Sequence, residues 1–195
     1  MSYPLRTPWL PLTDAQWSAL TPHLTRSILS GRPCGDPRHR MDAIFRLIAT
    51  DAPWRELPAH LGKPDTVSRH FRRLTHAGLW ERLLRALAEA PRGHPLRAIE
   101  GLICRACRRA YRLRGLRLIM LARRLGLRRA LPGPPWLLPD PDLSEMVRAL
   151  AVAPKNPPRR GRIGFLAGWH RAIRHILRVA EGRRRIPRSL RLAMP

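Results

Sequence analysis

WRELPAHLGKPDTVSRHFRRLTHAGLWERLL, residues 54–84, decides the fold of this chain. Gly62 and Gly78 cut it into a short segment ending at Leu61, a basic segment, and a segment opening on Trp80. Pro58 opens the first piece and Gly62 stops it, the order in which proline and glycine bracket a helix. Asp65 or Thr66 is the expected cap of the middle helix, and Gly78 its expected end. With Val67 at 0° and 100° per residue, Phe71 falls at about 40° and Leu74 at about 340°, one apolar stripe. Arg72 falls at about 140°, Arg69 at about 200°, Arg73 at about 240° and Thr66 at about 260°, while Ser68 and His70 flank the stripe. A helix buried through Val67, Phe71 and Leu74 therefore presents Arg69, Arg72 and Arg73 together.

Working outward, Thr13 followed by Gln16 makes a capping-box pattern. Trp17, Leu20 and Leu24 then predict a helix over 13–24. Residues 29–38 are rich in turn formers, and Met41, Ile44, Phe45 and Ile48 predict a second helix over 38–51, ended by Pro53. Trp80 to Ala90 closes this part with Leu83, Leu84 and Leu87. Pro91, Gly93 and Pro95 suggest a boundary. Beyond it, Ile99, Leu102, Ile103, Ala106, Ala110 and Leu113 lie at helical spacing, with Arg105, Arg108, Arg109 and Arg112 on the opposite face. Residues 116–130 repeat that character, and helices are expected over 142–152 and 163–181. No strand-like alternation of useful length occurs. The expectation is an all-α chain: an irregular arm at 1–11, a helix-turn-helix domain at 12–90, and a basic helical region at 91–195. Pro-rich breaks at 132–141 and 154–158 interrupt that last region, which ends in a basic tail at 182–191.

The 195 residues carry 38 Lys+Arg against 13 Asp+Glu, a net charge of +25. Lys63 and Lys155 are the only lysines, so the composition drift of a GC-rich genome can explain part of the bias. The remainder favours a polyanionic partner. Residues 1–90 hold 13 basic and 8 acidic residues, whereas 91–195 hold 25 and 5. Arginines on one exposed stripe neutralise phosphates, and one can read guanine O6 and N7 bidentately. The competing reading is a solvated charged face. The candidate DNA-contacting set is Thr66, Ser68, Arg69, Arg72 and Arg73, joined by Lys63 and Arg55 at the preceding turns. For the arginine-faced helices downstream, three readings stay open: phosphate contact, an anionic membrane surface, or a helical domain that is merely charged outside.

LTDAQW at 12–17, MDAIFRLIATDAPWRELP at 41–58 and TVSRHFRRLTHAGLWERLL at 66–84 stand in the order seen in one family. Over residues 12–90 the chain resembles the N-terminal domain of bacterial insertion-sequence transposases of the DDE class. The resemblance implies a helical module that binds transposon ends through Thr66, Ser68, Arg69, Arg72 and Arg73. It departs from the family at Lys63-Pro64-Asp65, where an aromatic residue is usual after the glycine turn.

The resemblance also implies a later catalytic domain with three carboxylates holding two metal ions. After residue 90 the chain offers only Glu100, Asp140, Asp142, Glu145 and Glu181. Asp140, Asp142 and Glu145 fit the cap and first turn of a helix. Cys104 and Cys107 form a CxxC without a partner pair, and Cys34 is left over, so they read as small residues on a buried face. The expectation is thus no catalytic residues, no metal, no cofactor and no small-molecule substrate. The favoured reading is a transposase-like DNA-binding protein, a truncated or decayed transposase lacking its catalytic domain, with DNA and a second copy as partners. The alternatives are a subunit of an active transposase and a basic helical protein on anionic membranes. Without a signal sequence or an apolar run of about 20 residues, a reduced cytoplasmic setting is expected.

Overall fold

The computed structural model describes residues 9–28, 35–150, 162–183, 187 and 189–190. Most of the arm at 1–11, Cys34, the break at 154–158 and Arg184, Arg185, Ile186, Arg188 and Arg191 of the tail lie outside them. Among the described residues the protein is all-α, with no strand. It forms two compact units, Met1–Pro132 and Gly133–Pro195.

In the first unit, α1 (Asp14–Ile28) starts on the reciprocal cap read from the sequence. The Thr13 amide donates to Gln16 Oε1 at 3.1 Å and the Gln16 amide to Thr13 Oγ1 at 3.3 Å. Leu20 and Leu24 are buried. Asp36 caps α2 (Pro37–Thr50) by accepting from the His39 amide. Buried Asp42 accepts from the Leu12 amide at 2.8 Å, and Arg38 bonds the Leu12 carbonyl and Asp14. These contacts tie the entry to α1 onto α2.

The short helix expected around 57–61 is instead two 3-10 turns, Trp54–Glu56 and Ala59–Leu61. Pro53 and Pro58 lack the N–H groups that a longer α-helical run needs. The helix α3 (Pro64–His76) begins one residue before the expected cap: Pro64 takes its first position and Lys63 precedes it without a side-chain cap bond. Proline fits there because its missing N–H is one of the unpaired groups anyway. Gly78, at φ 75°, turns the chain into α4 (Leu79–Glu89). That left-handed conformation favours glycine. Thr75, Trp80 and Phe71 lock the corner. Trp80 Nε1 donates to Thr75 Oγ1 at 2.8 Å, Thr75 Oγ1 donates to the Phe71 carbonyl at 2.8 Å, and the two rings lie 5.3 Å apart.

The Pro91–Pro95 stretch is a bend inside this unit. It leads through α5 (Pro95–Ala98) into α6 (Glu100–Arg114), which packs against α2, α3 and α4. Ile103, Ala106 and Ala110 are fully buried there, and Cys104 and Cys107 lie with them. Small residues let three helices approach one. This surround overturns the expectation of an open arginine face on α6. Arg105 is buried and donates to the Ile48 carbonyl at 3.2 Å; Arg109 donates to the Ala52 carbonyl at 3.0 Å and stacks on Trp54 at 4.2 Å. Their heads bond carbonyls at and just beyond the end of α2, that of Ile48, which also accepts from the Asp51 amide, and that of Ala52. Burial lowers the pKa of Arg109 to about 10, with Asp51 opposing, so it stays charged at neutral pH. Arg114 meets buried Glu81 at 2.6 Å. The helix expected over 116–130 is α7 (Leu116–Arg124) followed by a 3-10 turn, Arg128–Ala130, with Gly126 at φ 69° between them.

In the second unit, α8 (Pro141–Leu150) packs against α9 (Arg162–Glu181). Asp140 Oδ1 accepts from the Leu143 amide at 3.2 Å, the capping role read from the sequence.

Candidate nucleic-acid interface

The helix α3 is buried through the stripe that the phasing assigned. Val67, Phe71 and Leu74 are each no more than 3 % exposed. Phe71 sits between Trp54 and Trp80, with both ring centroids 5.3 Å away. This anchoring fixes the rotation of α3, and Thr66, Arg69, Arg72 and Arg73 are exposed as a consequence. Neither Arg69 nor Arg72 enters an ion pair among the described residues. Lys63 is exposed at the helix start. Arg55 is exposed on the turn before it, 3.6 Å from Glu56, a surface pair of small energetic weight. Ser68 differs from the rest: it is half-buried and its hydroxyl donates to the Asp65 carbonyl at 3.2 Å. It serves the first turn of α3, leaving Thr66 as the free hydroxyl of the face.

Sequence reasoning placed His70 beside the stripe and gave it no role. The structure buries it, at 4 % exposure, against Arg73, whose Nη2 lies 3.3 Å from His70 Nδ1. A ring nitrogen accepts from a guanidinium only when unprotonated. Burial, followed by the charges of Arg40 and Arg73, lowers the His70 pKa from 6.5 to about 4, so the ring is neutral at pH 7. The unfolded chain binds this proton first as the pH falls. His70 therefore costs nothing above pH 6.5 and removes stability as the pH drops toward 4, by about 3 kcal/mol in all. Urea unfolding of the protein and of His70→Gln at pH 7 and pH 4 is expected to show this fall in the parent and its absence in the variant. Comparison within the pair cancels the other groups, among them His23, whose pKa burial and Arg82 also lower.

A second basic surface lies in the same unit. On α7, Arg117 and Arg124 are exposed seven residues apart, hence on one side of the helix. Leu118, Ile119 and Ala122 are buried on the other. Arg128 and Arg129 extend it from the following turn. Residues 101–139 contain ten arginines and no acidic residue. The structure sorts them: Arg105, Arg109 and Arg114 bond within the fold, whereas Arg112, Arg117, Arg124, Arg128 and Arg129 face solvent. The CxxC offers no comparable chemistry. Cys104 and Cys107 are buried, and burial pushes the Cys104 thiol up to about 12. Among the described residues no three side chains are grouped to hold a metal ion, and no helix is long and apolar enough to cross a membrane.

These features define an all-α protein whose packed core holds one arginine-faced helix outward. Residues 12–84 match the family described as "Putative transposase of IS4/5 family", and the match is to an N-terminal transposase domain. It covers just over a third of the chain and includes α1 to most of α4. It does not reach a catalytic domain. No curated protein and no solved structure matches the chain.

Proposed function

We propose that this chain is a transposase-like DNA-binding protein that lays α3 in the major groove. The observation that carries this reading is the exposed Arg69, Arg72 and Arg73 on a helix whose other side is locked by Trp54, Phe71 and Trp80. The major groove, about 12 Å wide, admits one α-helix. The helix pair is α2 and α3, in a helix-turn-helix whose turn is drawn out by the two 3-10 segments. The helix α4, although joined to α3 by a tight turn, is buried through Leu79, Trp80, Leu83, Leu84 and Leu87, which favours α3 as the reader. Thr66, Lys63 and Arg55 border the reading face. Arg117, Arg124, Arg128 and Arg129 add contacts to backbone phosphates, which carry no sequence information.

Binding is favoured over cleavage by what the carboxylates do. Glu81 meets Arg114, Glu100 meets Arg97 at 3.1 Å, and Asp140 caps α8. A salt titration of duplex binding tests the proposal. The logarithm of the affinity is expected to fall linearly with the logarithm of salt concentration, with a slope of about 0.9 per phosphate neutralised. An affinity indifferent to salt would exclude it.

A further inference from the structure

The charged residues of α3 are not equivalent, because the buried stripe fixes how the helix is turned. Val67, Phe71 and Leu74 face the core, and the rings of Trp54 and Trp80 hold Phe71 with centroids 5.3 Å away. The direction straight away from that stripe falls at about 190° on the same wheel. Arg69 at about 200° and Asp65 at about 160° stand on either side of it, both exposed. Exposed His76 also lies near this line, at about 180°, but it is the last residue of α3, two turns beyond Arg69. Arg72 at about 140° and Arg73 at about 240° lie further off, on opposite flanks. Arg73 is drawn further aside, since its Nη2 lies 3.3 Å from Nδ1 of His70, which is buried at the edge of the stripe. The side chains of Asp65, Arg69 and Arg72 enter no ion pair among the described residues. Asp65 gives only its backbone carbonyl, to the Ser68 hydroxyl.

A helix docked in the major groove aims the residues opposite its buried stripe at the base edges, those of its N-terminal half above all, and turns its flanks to the phosphates. Charge sorts the same residues in the same way. A carboxylate is repelled by phosphates. A face with Asp65 near its centre therefore suits DNA where that carboxylate meets a donor on a base, and cytosine N4 is the donor from which acidic side chains accept. Arg69, one turn further on, has its whole fork free for guanine O6 and N7.

We infer that Asp65 and Arg69 are the specificity-determining pair of α3, Asp65 accepting from a cytosine amino group and Arg69 bonding a guanine, while Arg72 and Arg73 hold the phosphate backbone on either side. This rests on the DNA-binding reading above and deepens it by dividing the face into reading and holding residues. Arg73 suits the holding role, because its bond to His70 removes part of its side-chain freedom before DNA arrives.

In the test, the full chain selects a motif from a duplex pool with a randomised core. Asp65→Ala, Arg69→Ala, Arg72→Ala and Arg73→Ala are then compared on that motif and on duplex of unrelated sequence across a salt series. Arg69→Ala is expected to lose roughly ten- to hundredfold of its preference for the motif, all of it at one guanine. Asp65→Ala should lose its preference at one cytosine and bind unrelated duplex more tightly than the parent, since a negative charge has left the interface. Arg72→Ala and Arg73→Ala should select the parent's motif, weaken both duplexes alike and lower the magnitude of the salt slope by about one each. Placing 7-deazaguanine at the guanine that Arg69→Ala releases should weaken the parent and leave Arg69→Ala unchanged. These side chains are exposed, and circular dichroism checks that each variant is folded. A guanine preference kept by Arg69→Ala, a cytosine preference kept by Asp65→Ala, or a motif lost by Arg72→Ala or Arg73→Ala would overturn the assignment. So would a parent that binds duplex in a salt-dependent way yet selects no motif. A parent without salt-dependent binding would instead defeat the underlying DNA-binding reading, and the assignment with it.

Discussion

Replacing Arg69, Arg72 and Arg73 together by alanine is expected to abolish sequence preference and weaken duplex binding on the order of a thousandfold at low salt. The estimate follows from about 1–3 kcal/mol of discrimination for a good arginine–guanine pair and a similar loss for each phosphate contact. Weak binding should persist through the α7 surface, because Arg117, Arg124, Arg128 and Arg129 are untouched. The fold should survive. All three side chains are exposed; the loss of Arg69 and Arg72 should change stability by about 0.5 kcal/mol or less each, and that of Arg73, which bonds buried His70, by about 1 kcal/mol. Circular dichroism and the melting temperature check the fold, while competition with unrelated duplexes checks the preference. A variant that keeps its preference would move the reading surface away from α3.

Trp80→Ala is expected to have the largest effect on stability, a loss of about 4 kcal/mol. Trp80 is fully buried, stacks on Phe71, and donates to Thr75 at the corner between α3 and α4. Its removal opens a cavity beneath α3 and frees the helix that carries the three arginines. A typical domain is stable by about 5–15 kcal/mol, so this single change approaches the whole margin. Trp136→Ala is the control: that ring is 72 % exposed, and its loss should cost little. Urea unfolding of both variants gives the comparison directly. DNA binding by Trp80→Ala should fall with the folded fraction and recover partly on cooling to the temperature of greatest stability.

Local patterning made much of this legible. The Thr13–Gln16 cap, the burial of Leu20 and Leu24, and the phase of α3 all depend on residues within about one or two turns of one another. The same holds for Asp140 at the start of α8. What stayed hidden depends on partners far along the chain. A helical wheel sets arginines opposite the apolar stripe of α6, and nothing local tells that Arg105 and Arg109 reach carbonyls 57 residues away. Guanidinium groups can be buried when each N–H finds an acceptor, and the end of α2 offers acceptors. For the same reason the Pro91–Pro95 bend looked like a linker, although α6 beyond it completes the core around α2, α3 and α4. His70 was ambiguous at the stripe's edge, and only the fold shows that it is buried with its Nδ1 against Arg73.

The most direct measurement of the central claim is selection of binding sites by the full chain from a duplex pool with a randomised core. The account predicts enrichment of a short motif containing guanine, lost from the pool selected by the triple Arg69, Arg72 and Arg73 variant. Its binding should also weaken when 7-deazaguanine removes the major-groove N7 acceptor. A pool that binds tightly yet returns no motif, or a motif that the triple variant selects equally well, would contradict it.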